Sequence, residues 1–383
     1  MQFFSSNFKL GILGGGQLGK MLLYDCKRYD VFTKVMDPNK NAPASKLADE
    51  FVIGDLTNYE DVINFGKNVD VLTIEIENIN TDALEFLEKK GKKVFPSSST
   101  LKIIQNKSKQ KYFYKQHNLP TSNYKSYNGI KDIIDDYNIG NIQLPSVWKS
   151  AKFGYDGKGV KIIKNFNDIK SLPNVQCLIE EKVNIKKELS VIVVRNPNKE
   201  ERCFPVVEME FNPDSNLVEY IMCPAKISND LEEKAYEIAL KTAQKFDSIG
   251  LLAVELFLTN ENEIIINEVA PRPHNSGHHT IECCMTSQFD QHIRSVLNLP
   301  LGSTEIKIPG IMVNLVGENK TEGDVKYNNI EKVFNTPGVS THLYGKKKSR
   351  LNRKMGHITI VNNEIEEAIK IGKKIKNLIK VTT

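Results

Sequence analysis

A chain of 383 residues is too long for one ordinary hydrophobic core, so two or three domains are expected. Its 40% hydrophobic and 26% charged residues describe a globular protein and exclude a disordered or fibrous one. The net charge of +5, from 52 basic and 47 acidic residues spread along the chain, is too mild for a nucleic-acid binder yet compatible with small anionic substrates. The six cysteines (26, 177, 203, 223, 283, 284) include no Cys-x-x-Cys pair, so neither a zinc knuckle nor a disulfide framework is indicated. No apolar run reaches membrane-spanning length and the N-terminus lacks a signal-peptide core, so a cytoplasmic protein without a membrane partner is expected.

Residues 10–13 read as a short strand running into Gly14-Gly15-Gly16-Gln17-Leu18-Gly19, with a helix over 20–27. A strand, a glycine turn and a helix N-terminus together make an anion cradle, because free backbone amides point outward there. Gly14, Gly16 and Gly19 match the spacing Gly-x-Gly-x-x-Gly, and a second strand over 31–36 ends in Asp37, where a dinucleotide fold places its ribose-binding acid. A nicotinamide oxidoreductase is therefore one alternative, resting on a weak motif. Another strand, over 69–76, is expected to carry Glu75 and Glu77 on one face at its end. Carboxylates there point into the ligand crevice of an open α/β sheet, or else mark a solvated strand end. A strand over 92–95 and the breaker cluster Pro96-Ser97-Ser98-Ser99 close the first domain.

Residues 101–117 read as one Lys-rich amphipathic helix, stopped by Leu119-Pro120. A strand over 145–149 ends in Lys149 and leads to Gly154-Tyr155-Asp156-Gly157-Lys158-Gly159-Val160. Glycines flanked by lysines make a flexible flap suited to covering phosphates; a plain hairpin turn at Asp156-Gly157 is the alternative. Residues 176–181 form an apolar strand finishing in Glu180-Glu181, followed by Lys182-Val183, and Glu188 starts the next strand. Helical periodicity over 231–246 then delivers the chain to its most informative stretch.

Two short apolar runs, 251–258 and 263–270, flank a polar turn, which is how a hairpin reads. With the turn centred on Asn260-Glu261, Glu255 faces Ile266, and Glu268 lies diagonally on the same face at about 7–8 Å. Two acids in apolar strands are costly unless a cation lies between them. Oxygen ligands on rigid strands suit Mg²⁺, which completes its shell with water and phosphate. The bland alternative is that each Glu faces water. The run continues Asn267-Glu268-Val269-Ala270-Pro271-Arg272-Pro273-His274-Asn275-Ser276-Gly277-His278-His279. His274 and His278 have the spacing of a helical zinc pair, but Pro271, Pro273 and Gly277 argue against a regular helix, so loop residues that orient substrate are preferred. Cys283-Cys284 reads as packing rather than as a nucleophile. A helix over 289–297 follows. The tail holds short strands (311–316, 357–361), a closing helix (364–379) and a basic cluster, Lys346-Lys347-Lys348-Ser349-Arg350 and Arg353-Lys354. That cluster is either a solvated face or a grip on a substrate phosphate.

Taken together, the glycine turn, Glu75-Ile76-Glu77-Asn78, the 154–160 flap, the 267–278 run and Arg353-Lys354-Met355-Gly356-His357 resemble the ATP-grasp superfamily over nearly the whole chain, and within it the ATP-dependent carboxylases of purine biosynthesis. The resemblance implies mixed α/β architecture: an N-terminal Rossmann-like domain (1–101), an ATP-grasp domain (102–300, lid 102–180 and core 181–300) and a small β-rich C-terminal domain (301–383). It implies ATP phosphates on Lys107, Lys149 and the flap from Gly154 to Val160, and adenine against Glu180, Glu181, Lys182 and Val183. Glu188 would take the ribose, and Glu255 and Glu268 would hold one or two Mg²⁺ ions beside Asn267. Aminoimidazole ribonucleotide would sit among Gln17, Leu18, Glu75 or Glu77, Tyr155, His274 and Asn275, its phosphate held by Arg350, Arg353 and Lys354. Asp156, Lys158 and Arg272 would serve the chemistry, in which bicarbonate is phosphorylated by ATP and then captured by an amine. A homodimer is implied as well. Lys107 stands where the family commonly has Arg, which loses bidentate phosphate contact. Ala270 stands where many ATP-grasp ligases carry Asn, leaving the metal count open. A sister ligase, of the formate-dependent transformylase or biotin carboxylase type, is the nearest rival, although no biotin-attachment motif is present.

Overall fold

Alternating short apolar strands and amphipathic helices build the first unit. In the computed structural model, which describes residues 3, 5–152 and 159–383, five parallel strands lie in the order Glu50–Ile53, Phe32–Asp37, Lys9–Leu13, Val71–Ile74, Lys93–Phe95. Helices cover the faces, so Leu10, Ile12, Leu13 and Ile74 are fully buried and the strands read as continuous apolar runs. The first helix begins earlier than expected, at Gln17, and runs to Arg28.

The expected single helix over 101–117 is two helices, Ser98–Ile104 and Lys107–Gln116. Asn106 causes the break: its side chain accepts the Lys109 N–H and so starts a new helix instead of continuing the old one. That break points Lys107 into the interior of the site.

A four-stranded antiparallel sheet follows, in the order Tyr124–Tyr127, Cys177–Glu181, Ser146–Ser150, Val160–Ile163, packed on helices Ile130–Asn138 and Phe166–Lys170 around Trp148, Ile163 and Ile169. A large nine-stranded sheet forms the centre of the molecule. Its main path runs Ile264–Ala270, Gly250–Thr259, Ile185–Arg195, Val207–Phe211, Val218–Cys223, Gly310–Val316, Lys354–Val361, Val339–Leu343. The sheet therefore crosses the boundary expected at residue 300, because Tyr220 to Cys223 pair antiparallel with Gly310 to Val313. Helix Asn229–Lys245 buries Ala235, Ala239 and Ala243 against the central strands. Helix Gln288–Val296 joins the N-terminal unit through Phe289, Ile293 and Val296, which share a core with Leu10, Leu22 and Val35. Among the described residues no helix is long and apolar enough to cross a membrane.

Candidate active site

The hairpin that carries Glu255 and Glu268 turns one half-step later than expected. Leu258 pairs with Ile264 around a loop in which Asn262 adopts a left-handed φ of 61°, the geometry of a three-residue turn. Leu256 consequently faces Ile266, and a bulge at Asn267 then sets Glu255 directly opposite Glu268. The expected diagonal is thus a rung, and the bulge sets the Asn267 amide between Glu255 and Lys149. Its Nδ2 lies 3.4 Å from Glu255 Oε2, while its Oδ1 accepts from Lys149 Nζ at 3.0 Å.

Two lysines close the arrangement. Lys107 forms an ion pair with Glu268. Lys149 reaches Glu180 Oε1 at 3.1 Å, and Lys111, which sequence inspection passed over as part of a polar helix, reaches Glu180 Oε2 at 3.2 Å. Ser122 also donates to Glu180, at 2.8 Å. Glu180 is 3% exposed, and its carboxylate anchors these lysines. Glu181 is exposed and accepts from Asn123 Nδ2 at 2.9 Å; the exposed Lys182 and part-buried Val183 follow it, where the chain passes into strand Ile185–Arg195.

Electrostatics separate the two metal-type acids. Desolvation and the adjacent Glu268 and Glu188 carboxylates push Glu255 up to about 8. Desolvation also opposes charge on Glu268, but the Lys107 ammonium overrides it and holds that carboxyl at about 2. Glu188 is raised by burial to about 7, against the pull of Lys149. A buried pair in which one carboxyl is driven toward its neutral form, by desolvation first and by the neighbouring carboxylates next, is short of positive charge, and a divalent cation with phosphate would supply it. Among the described residues no group of three or more His, Cys, Asp or Glu is set to hold a metal; His274 and His278 turn their Nδ1 atoms to different partners, Ser276 and Gln288.

Residues 153–158 lie outside the described residues, and with them the expected roles of Gly154, Tyr155, Asp156, Gly157 and Lys158. The flap's end is described: Ser150 N–H donates to the Gly159 carbonyl at 2.8 Å, Gly159 has a φ of 75°, and Val160 pairs with Lys149. Gly159 and Val160 thus lie beside Ser150 and Lys149, and Lys149 is the residue that touches Asn267 and Glu180.

The glycine turn is not an open anion cradle. Glu75 fills it, its two carboxylate oxygens accepting from the Gly16 and Gly19 amides at 2.9 Å each. A Cβ on Gly16 would lie 2.6 Å from Glu75 Oε1, and one on Gly14 would lie 2.4 Å from Glu75 Cγ. Asp37 likewise accepts from Gly15 N–H at 2.8 Å. The turn amides that a dinucleotide's phosphates would need are taken by Glu75 and Asp37, and Asp37, the acid its ribose would need, is turned inward, which removes the nicotinamide alternative. Burial raises the Glu75 carboxyl although the two amides pull it down. The strand ends at Ile74, so Glu75 and Glu77 lie beyond it and take different partners: Glu77 pairs with Arg272, Oε1 to Nε at 2.8 Å, and that guanidinium also acts electrostatically on Glu75. Leu18 packs in the N-terminal core, while Gln17 beside it stays partly exposed.

His274 Nε2 stands 3.6 Å from Glu255 Oε1. Asn275 exchanges amide hydrogen bonds with the buried Asn314 at 3.0 and 2.9 Å, a partner that no sequence signal pointed to. From the basic cluster, Lys354 acts electrostatically on Glu255, and Arg353 Nη1 is turned to the Lys348 carbonyl at 2.8 Å. Arg350 is exposed on the same turn. Cys283 and Cys284 are both buried in a hydrophobic cluster; Cys284 also has partners that the sequence did not offer, Cys223 and His279, whose hydrogen bonds pull its thiol down to about 6 against burial.

Comparison with known proteins places this geometry. Residues 8–105 match the ribonucleotide synthetase preATP-grasp domain, 112–289 the ATP-grasp domain and 310–371 the phosphoribosylaminoimidazole carboxylase C-terminal domain. The chain is 37% identical over 370 residues to the N5-carboxyaminoimidazole ribonucleotide synthase of Bacillus subtilis, covering 94% of this chain and 93% of that one. It spans 64% of the length of the plant and baker's yeast phosphoribosylaminoimidazole carboxylases that it also matches. The crystal structure of N5-carboxyaminoimidazole ribonucleotide synthetase from Thermotoga maritima superposes with a TM-score of 0.90 at 40% identity, covering 98% of this chain and 99% of that one. The Aspergillus clavatus N5-carboxyaminoimidazole synthase, in complex with ADP and 5-aminoimidazole ribonucleotide, gives 0.86 at 32% identity, with 97% and 99% covered. With its rung of acids, its two lysines and all three domain matches in order, the chain belongs to the N5-carboxyaminoimidazole ribonucleotide synthase family of ATP-grasp ligases.

Proposed function

We propose that the protein carboxylates the exocyclic amine of 5-aminoimidazole ribonucleotide, using ATP and bicarbonate, to give N5-carboxyaminoimidazole ribonucleotide in purine biosynthesis. The observation that carries this is the Glu255–Glu268 rung faced by Lys107 and Lys149. Phosphoryl transfer asks little covalent chemistry of a protein and much charge neutralisation at one point, and these four side chains with Asn267 supply it. Glu255 and Glu268 would hold Mg²⁺, which neutralises the terminal phosphates when bound. Lys107 and Lys149 would leave their carboxylate and amide partners for phosphate oxygens, and Glu188 would accept from the ribose hydroxyls.

Bicarbonate is the acceptor of the phosphoryl group, giving carboxyphosphate and ADP. The amine of the ribonucleotide then attacks the carboxyl carbon, or CO₂ released from it, and inorganic phosphate leaves. Arg272 and His274, on the loop that follows Glu268, would supply this second step with donors to oxygen anions. Lys354, Arg353 and Arg350 are the cations offered to the ribonucleotide's phosphate. Carboxyphosphate hydrolyses readily in water, so the 154–160 flap must cover it before the amine arrives. A cytoplasmic homodimer completes the proposal, the dimer being checked by light scattering. The deciding experiment is ADP release with bicarbonate, with and without aminoimidazole ribonucleotide, set against formate plus glycinamide ribonucleotide. Release stimulated only by the latter pair would reject this substrate.

A further inference from the structure

Ser190 sits on the strand rung opposite Glu255. Its hydroxyl lies 2.8 Å from Ser276 Oγ, which lies 2.9 Å from His274 Nδ1, and both serines are 1% exposed. The Ser276 backbone N–H also donates to that Nδ1, at 3.4 Å, so the imidazole caps the one-turn helix Asn275–Gly277. A backbone N–H can only donate. Nδ1 is therefore the acceptor, and the ring's proton belongs on Nε2, the nitrogen that faces Glu255.

Gln288 holds the same residue from behind. Its Oε1 accepts the His274 N–H at 2.9 Å and its Nε2 donates to the His274 carbonyl at 2.8 Å, with His278 Nδ1 a further 3.2 Å neighbour. Gln288 N–H donates to Thr280 Oγ1, whose hydroxyl donates to the Gly277 carbonyl. The Gln288 side chain is fully buried, and a Cβ on Gly277 would come within 2.5 Å of its Oε1. A glutamine at the start of a helix ordinarily faces water. Here both ends of a dehydrated amide grip one residue's backbone, a costly arrangement unless that residue must not move.

We propose that Gln288, Ser276 and Ser190 are positioning residues that present the His274 imidazole as a fixed Nε2–H donor at the Glu255 end of the site. This deepens the carboxylase reading and, for its kinetic part only, rests on it. Gln288 sets where the loop backbone lies, and the two serines set which ring nitrogen carries the proton. A donor so fixed meets an acceptor atom of the reactants without first reorganising.

The test uses the full chain labelled with ¹⁵N-histidine. Long-range ¹H–¹⁵N spectra, with His274→Asn identifying the signal, should show the Nε2–H form in the wild type and a mixture of tautomers in Ser276→Ala. A wild-type Nδ1–H form, or no change in Ser276→Ala, would overturn the proposal whatever the enzyme's substrate. In the carboxylation assay, Gln288→Leu should lower kcat/KM for aminoimidazole ribonucleotide by about 10–100-fold, the range for supporting-shell residues, while KM for ATP stays within twofold. Isosteric Gln288→Glu, which keeps the acceptor for the His274 N–H, should lose less. Equal losses for both nucleotides, or none, would count against positioning. Should Gln288→Leu fail to fold, Ser276→Ala carries the kinetic test. A wild type that makes no ADP from these substrates rejects the carboxylase reading alone, since the tautomer still decides the proposal.

Discussion

The ammonium of Lys107 rests on the carboxylate of Glu268, 161 positions further along the chain. The cation expected to meet ATP phosphate thus neutralises an acid expected to meet Mg²⁺. Each is the other's placeholder. The site should therefore take metal and nucleotide together: calorimetry should find no tight binding of Mg²⁺ alone and clear binding of Mg-ADP. Glu268→Gln and Glu255→Gln should each lower ADP release by 100-fold or more, since several kcal/mol of charge stabilisation are lost and each 1.36 kcal/mol is tenfold. Variants within threefold of wild type would dismiss the metal role.

Glu180 with Lys111 and Lys149 is a charge cluster sealed from water, Lys111 and Glu180 having side chains only 3% and 4% exposed. Removing one partner leaves an uncompensated charge. Lys111→Met should lower the free energy of unfolding in urea by about 3 kcal/mol, whereas breaking an exposed pair such as Lys226–Glu366 should cost far less, because water screens it. Similar small losses at both places would mean that the cluster is hydrated in solution.

His292 is fully buried, 2.8 Å from Thr73 Oγ1, and burial pulls its imidazole down to about 3. The unfolded chain protonates this ring near pH 6.5 and the folded one only near 3, so below pH 6.5 the unfolded state binds one more proton there. Its contribution to stability is present above pH 6.5 and is lost as pH falls toward 3. Relative to wild type, His292→Asn should remove a slope of about 1.4 kcal/mol per pH unit between pH 6 and 4, read from urea titrations at several pH values. Parallel pH profiles would show that the ring is protonated in the fold.

Gly14 has a φ of 100° and no room for a Cβ beside Glu75. Gly14→Ala should destabilise the N-terminal unit by about 1–3 kcal/mol through strain and crowding together, measured by protection of the 9–13 amides from hydrogen exchange. NADH should give no thermal shift in the wild type, because Glu75 and Asp37 already occupy the turn's amides.

Local pattern determined a good deal by itself. Apolar runs bounded by polar turns gave the strands; the two-run hairpin put Glu255 and Glu268 on one face; the three glycines ahead of a helix gave a strand–turn–helix unit. These are short-range facts, set by side-chain period and turn chemistry, and they lie in contiguous residues. Even the Asn106 break was available in principle as an N-cap signal, though the lysine-rich run around it reads as one helix.

Only the tertiary structure could decide what each acid faces. One bulged residue, Asn267, converts a diagonal into a rung, and register is fixed by the whole ladder rather than by the turn alone. Glu75 and Glu77 differ by two positions and part company because one is drawn to amides of the 14–19 turn and the other to Arg272. Lys111 and Gln288 look like ordinary polar helix residues until the fold seals them from water, when each must find partners far along the chain or cost the fold its stability. Sequence patterns register side-chain type and period; dehydration and long-range partners exist only once the sheets and helices have come together.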